Sequence, residues 1–394
     1  MLHTSPRTLA VAVCCAIVST AASGADPAYT ISNLATLGGT RTQGNSLNNR
    51  GWAAGFSTYA GNADRHAVVW SGSGIRDLGT LGGANSSVAW PVKNVAGLIA
   101  GISQTATPEP LGENWSCSAF FVSHATGFTC RGFAWRGEQM RMLPTLGGNN
   151  GFAAGANNRG EITGWAETDQ FDPSCEGAGP GKSGQMLQFL PVIYGPGESE
   201  IRALPLIPGD SSGAATAIND HGQAVGISGS CDQAVGRRTA AHAVLWDNGA
   251  VIDIGAGTLA APFWNTPMAI NEHGDVVGFA GDPADASGGV THAFLWTREG
   301  GMQLLNAGPG DNSTATGINA QRQVVGYFVA SNGALHAFVW DALTGLRDLN
   351  DLKQADYPNV IALATDIDDA GAIIGRATDA AGTRIAVIAT PLHR

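Results

Sequence analysis

Apolar and polar positions alternate along this chain in short runs of about five residues, and each run stops at a turn built from Gly, Asn, Asp or Pro. ATAIN (Ala215 to Asn219) is one such run and QAVG (Gln223 to Gly226) is the next. The Asn-x-x-Gly between them suits a tight hairpin, since an Asn side chain starts a turn and Gly accepts a positive φ. A third run has the form HAFLW (His292 to Trp296), and a fourth leads into a Leu-Gly-Gly or Pro-Gly-Asp turn. We name these strands a, b, c and d. No convincing amphipathic helix interrupts them.

The pattern repeats. Turns of the type INDHGQAVG end at Gly55, Gly101, Gly164, Gly226, Gly278, Gly326 and Gly375. Strand c recurs as HAVVW (His66 to Trp70), HAVLW (His242 to Trp246), HAFLW and HAFVW (His336 to Trp340), with a degenerate RGFAW ending at Trp135. DLGTLGG (Asp77 to Gly83), LPTLGG (Leu143 to Gly148), LPLIPGD (Leu204 to Asp210) and, more faintly, DLNDL (Asp348 to Leu352) follow strand d. Repeated four-stranded sheets arranged radially make a propeller, so the expectation is an all-β, seven-bladed β-propeller of four-stranded antiparallel blades. The two ends of the chain are out of phase in a complementary way. YTISNLATLGG (Tyr29 to Gly39) is a strand d with no a, b or c before it, whereas the last unit ends after strand c (Arg384 to Thr390). The N-terminal strand is therefore expected to complete the last blade and close the ring. In the third and seventh units QFLPVIYG (Gln188 to Gly195) and RIAVIAT replace the HAFLW motif, and those blades are expected to be irregular.

Together the HAFLW, INxxGxVVG and DLGTLGG elements resemble the bacterial extracellular HAF-repeat family, named for the His-Ala-Phe seen here at His292 to Phe294. The resemblance covers nearly all of the chain after its first residues. It implies an extracellular repeat protein and assigns no reaction.

Composition narrows the partners. Charged residues are only 13% of the 394, and the net charge of -11 comes without any Lys/Arg cluster, which disfavours nucleic acid. Residues 1–25 read as a signal peptide: a short basic start, an apolar run from Leu9 to Val18, then small residues up to Ala25. Export to the periplasm or beyond is expected, with residues 26–394 forming one domain. No later run is long and apolar enough for a helical membrane span. Cys117, Cys130, Cys175 and Cys231 remain after cleavage, and an even count in an exported chain favours disulfides.

Residues that recur in every unit are packing devices, so candidate chemistry is sought where the repeat breaks. His66, His242, His292 and His336 are read as structural, bonded to backbone or to a neighbouring blade. GDSSG (Gly209 to Gly213) lacks the strand-turn-helix setting of a nucleophile elbow, and GPGKSG (Gly179 to Gly184) lacks the first glycine of a phosphate loop. No cofactor is expected. Calcium would have only the clustered oxygens of DIDDAG (Asp366 to Gly371) and DPADASGG (Asp282 to Gly289), neither with full calcium-loop spacing. The long insertions all fall between strands b and c, at about 103–129, 166–188, 228–241 and 280–291. Their placement on one face predicts Cys117–Cys130 within the first insert and Cys175–Cys231 between the inserts of neighbouring blades. The same face is expected to show Trp90, Trp115, Trp165 and Trp264 as ligand-binding aromatics. The leading expectation is a non-enzymatic module that recognises a glycan or protein through this face, with no catalytic residue. Its rival is a polysaccharide lyase or glycoside hydrolase using Glu113, Glu167, Asp169, Asp172 or Asp232 on the inserts.

Overall fold

A computed structural model describes residues 28–72, 74–113, 115–121, 127–175, 184–231, 241–255, 265–282, 285, 289–305 and 312–392. The expected signal peptide, Asp232, Trp264 and most of the two later inserts lie outside them. The described residues form five four-stranded antiparallel sheets and one eight-stranded sheet. Each four-stranded sheet is consecutive in sequence, in the order a, b, c, d. In the fourth unit these are Ser212–Ile218, Ala224–Gly229, His242–Asp247 and Ala250–Asp253. The eight-stranded sheet contains two such sets, joined by one parallel bridge between Arg41 and Arg384. Within it the N-terminal strand Tyr29–Asn33 pairs antiparallel with Arg384–Pro391, from Tyr29 opposite Pro391 to Asn33 opposite Val387.

The repeat motifs have identifiable physical work. At all seven motif glycines the carbonyl of a strand a residue stands where a Cβ would go, at 1.9 to 2.2 Å. Only Gly lets strands a and b meet this closely. Strand a bulges there, and the extra residue looks to the next unit: Thr216 Oγ donates to Pro267 O at 2.8 Å and Thr316 Oγ to Ala364 O at 2.7 Å. The turn Asn has a matching double role. Asn271 Oδ1 accepts the N–H groups of His273 and Asp275, closing its own hairpin, while its Nδ2 donates to Asn319 O of the next unit at 3.1 Å. Asn48, Asn157, Asn219 and Asn319 make the same forward bond at 2.9 to 3.0 Å. The fourth residue of the turn takes a positive φ, supplied by Gly in six copies and by Arg322 at 59° in the other. The Arg322 guanidinium is anchored on the buried Asp275.

His66, His242 and His336 each pair through Nδ1 with an Asp of strand d in their own sheet, Asp77, Asp253 and Asp348. This corrects the expected backbone or neighbouring-blade partner, and the role remains structural. Burial opposes ionisation of Asp77, but His66, Tyr59 and the Gly79 N–H outweigh it and pull its carboxyl down to about 2. The third and seventh units are regular, contrary to expectation: Leu187–Tyr194 and Arg384–Pro391 keep continuous antiparallel pairing with their strands b through most of their lengths. Apolar side chains fill the space between successive sheets, as where Val69, Leu78, Leu98, Phe133 and Tyr194 join one cluster.

Candidate carboxylate site

The insert of the second unit starts as an extension of strand b (Ile99–Pro108), turns through Glu109 and Glu113, and enters a short helix, Trp115–Phe120. It returns into strand c (Phe128–Arg136), which Cys130 ties to Cys117 of the helix. Across the sheet boundary, strand b of the third unit (Ile162–Phe171) is likewise long and carries Glu167 after its motif Gly164. Strand c there begins at Leu187.

These segments converge on three carboxylates. Glu109 Oε2 accepts the N–H groups of Leu111 and Glu113 at 2.8 and 2.7 Å, and its Oε1 accepts from Asn149 Nδ2 at 3.1 Å. Glu113 Oε1 accepts the N–H groups of Met186 and Leu187 at 2.7 and 2.6 Å. Glu167 Oε2 accepts the N–H groups of Asn149 and Asn150 at 3.0 and 2.7 Å, and the Asn150 side chain donates to the same carboxylate. One donor bridges the two acids: Gln185 Nε2 lies 3.4 Å from Glu113 Oε1 and 2.9 Å from Glu167 Oε1. Glu113 is 1% exposed and Glu167 fully buried. Glu113 Oε2 is the odd atom: it is buried and has no hydrogen-bond partner among the described residues.

Two carboxylates at such close quarters cannot both ionise cheaply. Burial, then the charges of Glu167 and Glu109, push the Glu113 carboxyl up to about 7, against the pull of the Leu187 and Met186 N–H groups. Burial raises Glu167 as well, opposed by donors from Gln185, Asn150 and Asn149. Glu167 has donors on both oxygens, while Glu113 has one bare oxygen. The proton of the pair therefore resides on Glu113.

The short helix also joins an aromatic group through Phe120. Trp90 meets Phe152 edge-on at 5.0 Å and Phe120 at 5.7 Å, and those two rings stack 5.0 Å apart. Trp90 is half-buried, and its indole Nε1 is buried without a partner. Trp165 is not at the surface: it is 2% exposed and packs on Phe189 at 5.3 Å. Trp115 opens the short helix. Of the other acids, Asp169 is exposed. Burial opposes ionisation of Asp172, but Ser211, Ser174 and Ser212 outweigh it and hold its carboxyl low. Ser211 Oγ sits 3.1 Å from Ser174 Oγ, in a serine cluster beside the Cys175–Cys231 disulfide. Cys175 and Cys231 lie close to Asp172, but as a disulfide they offer no thiolate to a metal. Both disulfides have the expected pairing. In the Asp366–Gly371 segment, Asp366 is engaged by Lys93 and Leu47 N, and Asp368 by the N–H groups of Ala370 and Ala372. Among the described residues no helix is long and apolar enough to cross a membrane. Sequence reasoning picked out Glu113 and Glu167 but missed Glu109, Gln185, Asn149 and Asn150, which reach the pair only through tertiary contacts.

No protein-family model matches the sequence, and no curated protein does. Similar solved structures include the β-propeller domain of the Trilobed protease from Pyrococcus furiosus, 10% identical over 77% of this chain and 80% of that one, at a TM-score of 0.45. A puromycin-hydrolyzing peptidase from Mycobacterium tuberculosis is 9% identical over 93% of this chain and 56% of its own, at 0.46. A gluconolactonase from Xanthomonas campestris is 11% identical over 93% and 97%, at 0.35. The chain thus spans little more than half the length of that peptidase. The expectation of a non-enzymatic recognition module is corrected: it rested on the lack of a catalytic constellation, and that premise fails at the buried carboxylates Glu113 and Glu167. At these TM-scores the likeness says nothing of a reaction, which is argued below from the carboxylates alone.

Proposed function

We propose that this chain is an exported β-propeller enzyme that cleaves glycosidic bonds in a polysaccharide, with Glu113 as the proton donor. The observation that carries the reading is the bare, buried Oε2 of a carboxyl that keeps its proton to about pH 7. A general acid needs a raised pKa and an unoccupied oxygen, and a charged neighbour to hold the proton in place. Glu167 is that neighbour, and its negative charge also favours the cationic sugar that develops as the bond breaks. Glu113 hands its proton to the leaving glycosidic oxygen as the C–O bond breaks, and water adds its oxygen to the sugar carbon while the proton it loses restores the Glu113 acid. Trp90, which packs on Phe120 of the same insert, supplies an indole N–H with no acceptor among the described residues.

The scaffold in this reading has seven blades. Counting the Arg41–Arg384 bridge as a contact between blades divides the eight-stranded sheet in two, and Tyr29–Asn33 then supplies the last blade's fourth strand. The HAF-type repeat, the basic-apolar-small leader at 1–25 and the two disulfides support export.

The test is a panel of bacterial and plant polysaccharides incubated with the oxidised protein, scored for new reducing ends and for unsaturated products. Reducing ends that fall at least about 100-fold in a folded Glu113→Gln variant are expected. A panel with no cleavage, or cleavage untouched by that substitution, refutes the reading.

A further inference from the structure

The second unit departs from the repeat in a way that the acid does not explain. Where three other units have His in strand c and Asp in strand d, this one has Arg131 and Met142. The register makes the correspondence explicit: Phe133 lies opposite Met142 as Val68 lies opposite Asp77, Val244 opposite Asp253 and Phe338 opposite Asp348. The His–Asp pair has been exchanged for a guanidinium with no carboxylate. Arg131 is half-buried, donates to two backbone carbonyls, Asn149 O and Leu143 O, both at 3.3 Å, and keeps a buried Nε without a partner. Burial lowers its pKa, partly offset by Tyr194 and Glu167. Next to Met142 stands Arg141, exposed. Among the described residues neither arginine makes an ion pair, in a chain whose net charge is -11.

Both arginines line one cavity of about 390 Å³ with Met142, Pro144 and Gly197, Glu198 and Ser199 of the third unit; the Glu198 carboxylate faces Arg136 at 4.0 Å. Asn149, which accepts from Arg131, donates its own N–H to Glu167 and its side chain to Glu109.

We propose that this cavity binds a carboxylate-bearing sugar, making the substrate an acidic, uronate-containing polysaccharide; this rests on the polysaccharide reading above. Arg141 makes the accessible charge-assisted contact, Arg131 sets the positive potential from behind, and Met142 and Pro144 offer apolar surface to the sugar ring. An acidic peptide would satisfy the charges but offers no sugar ring to Met142 and Pro144.

The experiment measures binding of a tetragalacturonide to the folded Glu113→Gln protein, with cellotetraose and tetraglutamate as comparisons, by calorimetry at two salt concentrations. Binding of the tetragalacturonide alone is expected, weaker at higher salt and about tenfold weaker when Arg141→Gln is added. Arg141 is exposed, so that substitution leaves the fold intact. Equal binding of cellotetraose, equal binding of tetraglutamate, or indifference to Arg141→Gln would overturn the proposal. Arginine-dependent tetragalacturonide binding with no cleavage of any polysaccharide would retain the subsite and sink the enzyme reading. Cleavage of neutral polysaccharide alone would do the reverse.

Discussion

The perturbation that interrogates the carboxylate pair most directly is Glu113→Gln, read through stability against pH. An ordinary Glu titrates near 4.5 and Glu113 is pushed up to about 7, so the native state holds a proton that the unfolded chain releases. The sign follows from linkage: the folded form binds more protons between pH 4.5 and 7, so stability is full below pH 4.5, falls as pH rises, and levels off above 7. At about 1.4 kcal/mol per pH unit the full shift is worth about 3 kcal/mol, and solvent screening in a site made partly of loops brings the expected figure to about 1–2 kcal/mol. Gln keeps the shape of the protonated acid and cannot titrate. Wild type and variant share the remaining titrating groups, so the difference between their unfolding free energies isolates the coupled Glu113–Glu167 pair. Urea denaturation of both oxidised proteins at half-unit steps from pH 4.5 to 8 should show the variant gaining on wild type by that amount. A difference that stays constant across the series would mean that Glu113 titrates as an ordinary carboxyl, and the proton-donor argument would fall with it.

Two further predictions concern the repeat. Gly326→Ala places a methyl 2.0 Å from Thr314 O and 2.8 Å from the Phe338 ring, so a loss of about 3 kcal/mol or outright failure to fold is expected, whereas Gly333→Ala, with open space but a φ of +80°, should cost only about 1 kcal/mol. Parallel denaturation curves check this, and a Gly326→Ala protein as stable as the Gly333→Ala one would contradict it. Asn271→Ala removes three bonds within its hairpin and one to the next unit, and should lower stability by about 2–3 kcal/mol; a drop below about 0.5 kcal/mol would show that the forward bond carries no weight.

The fold was legible because its signals are local. An Asn that caps a hairpin and a Gly on which a carbonyl presses must recur wherever the same joint recurs, so seven copies of INDHGQAVG announced seven joints. The pairing of the cysteines was legible for a related reason: insert positions follow from strand alternation. What escaped was long-range. Glu109 reads as a loop acid until Asn149 of another unit is brought to it, and Gln185 is unremarkable until both Glu113 and Glu167 claim its amide. Trp165 looked like a surface aromatic because it follows Gly164 at the edge of an insert, yet the strand continues past it and turns its side chain onto Phe189. Arg131 was visible only as a blemish in RGFAW. Its meaning depends on Met142 standing opposite Phe133, which no single stretch of sequence records.

The pairing of Tyr29–Asn33 with Arg384–Pro391 also sets an order of events. Tyr29–Asn33 leaves the ribosome well before its partner, and it must wait unpaired while more than three hundred residues organise between them. Closing a loop of that length costs about 5 kcal/mol of chain entropy, which one five-residue pairing recovers only once the sheets between are in place. Until then the Arg384–Pro391 edge is open to any similar strand, including that of a second molecule, and a crowded solution of folding chains would exchange first strands before it finished single ones.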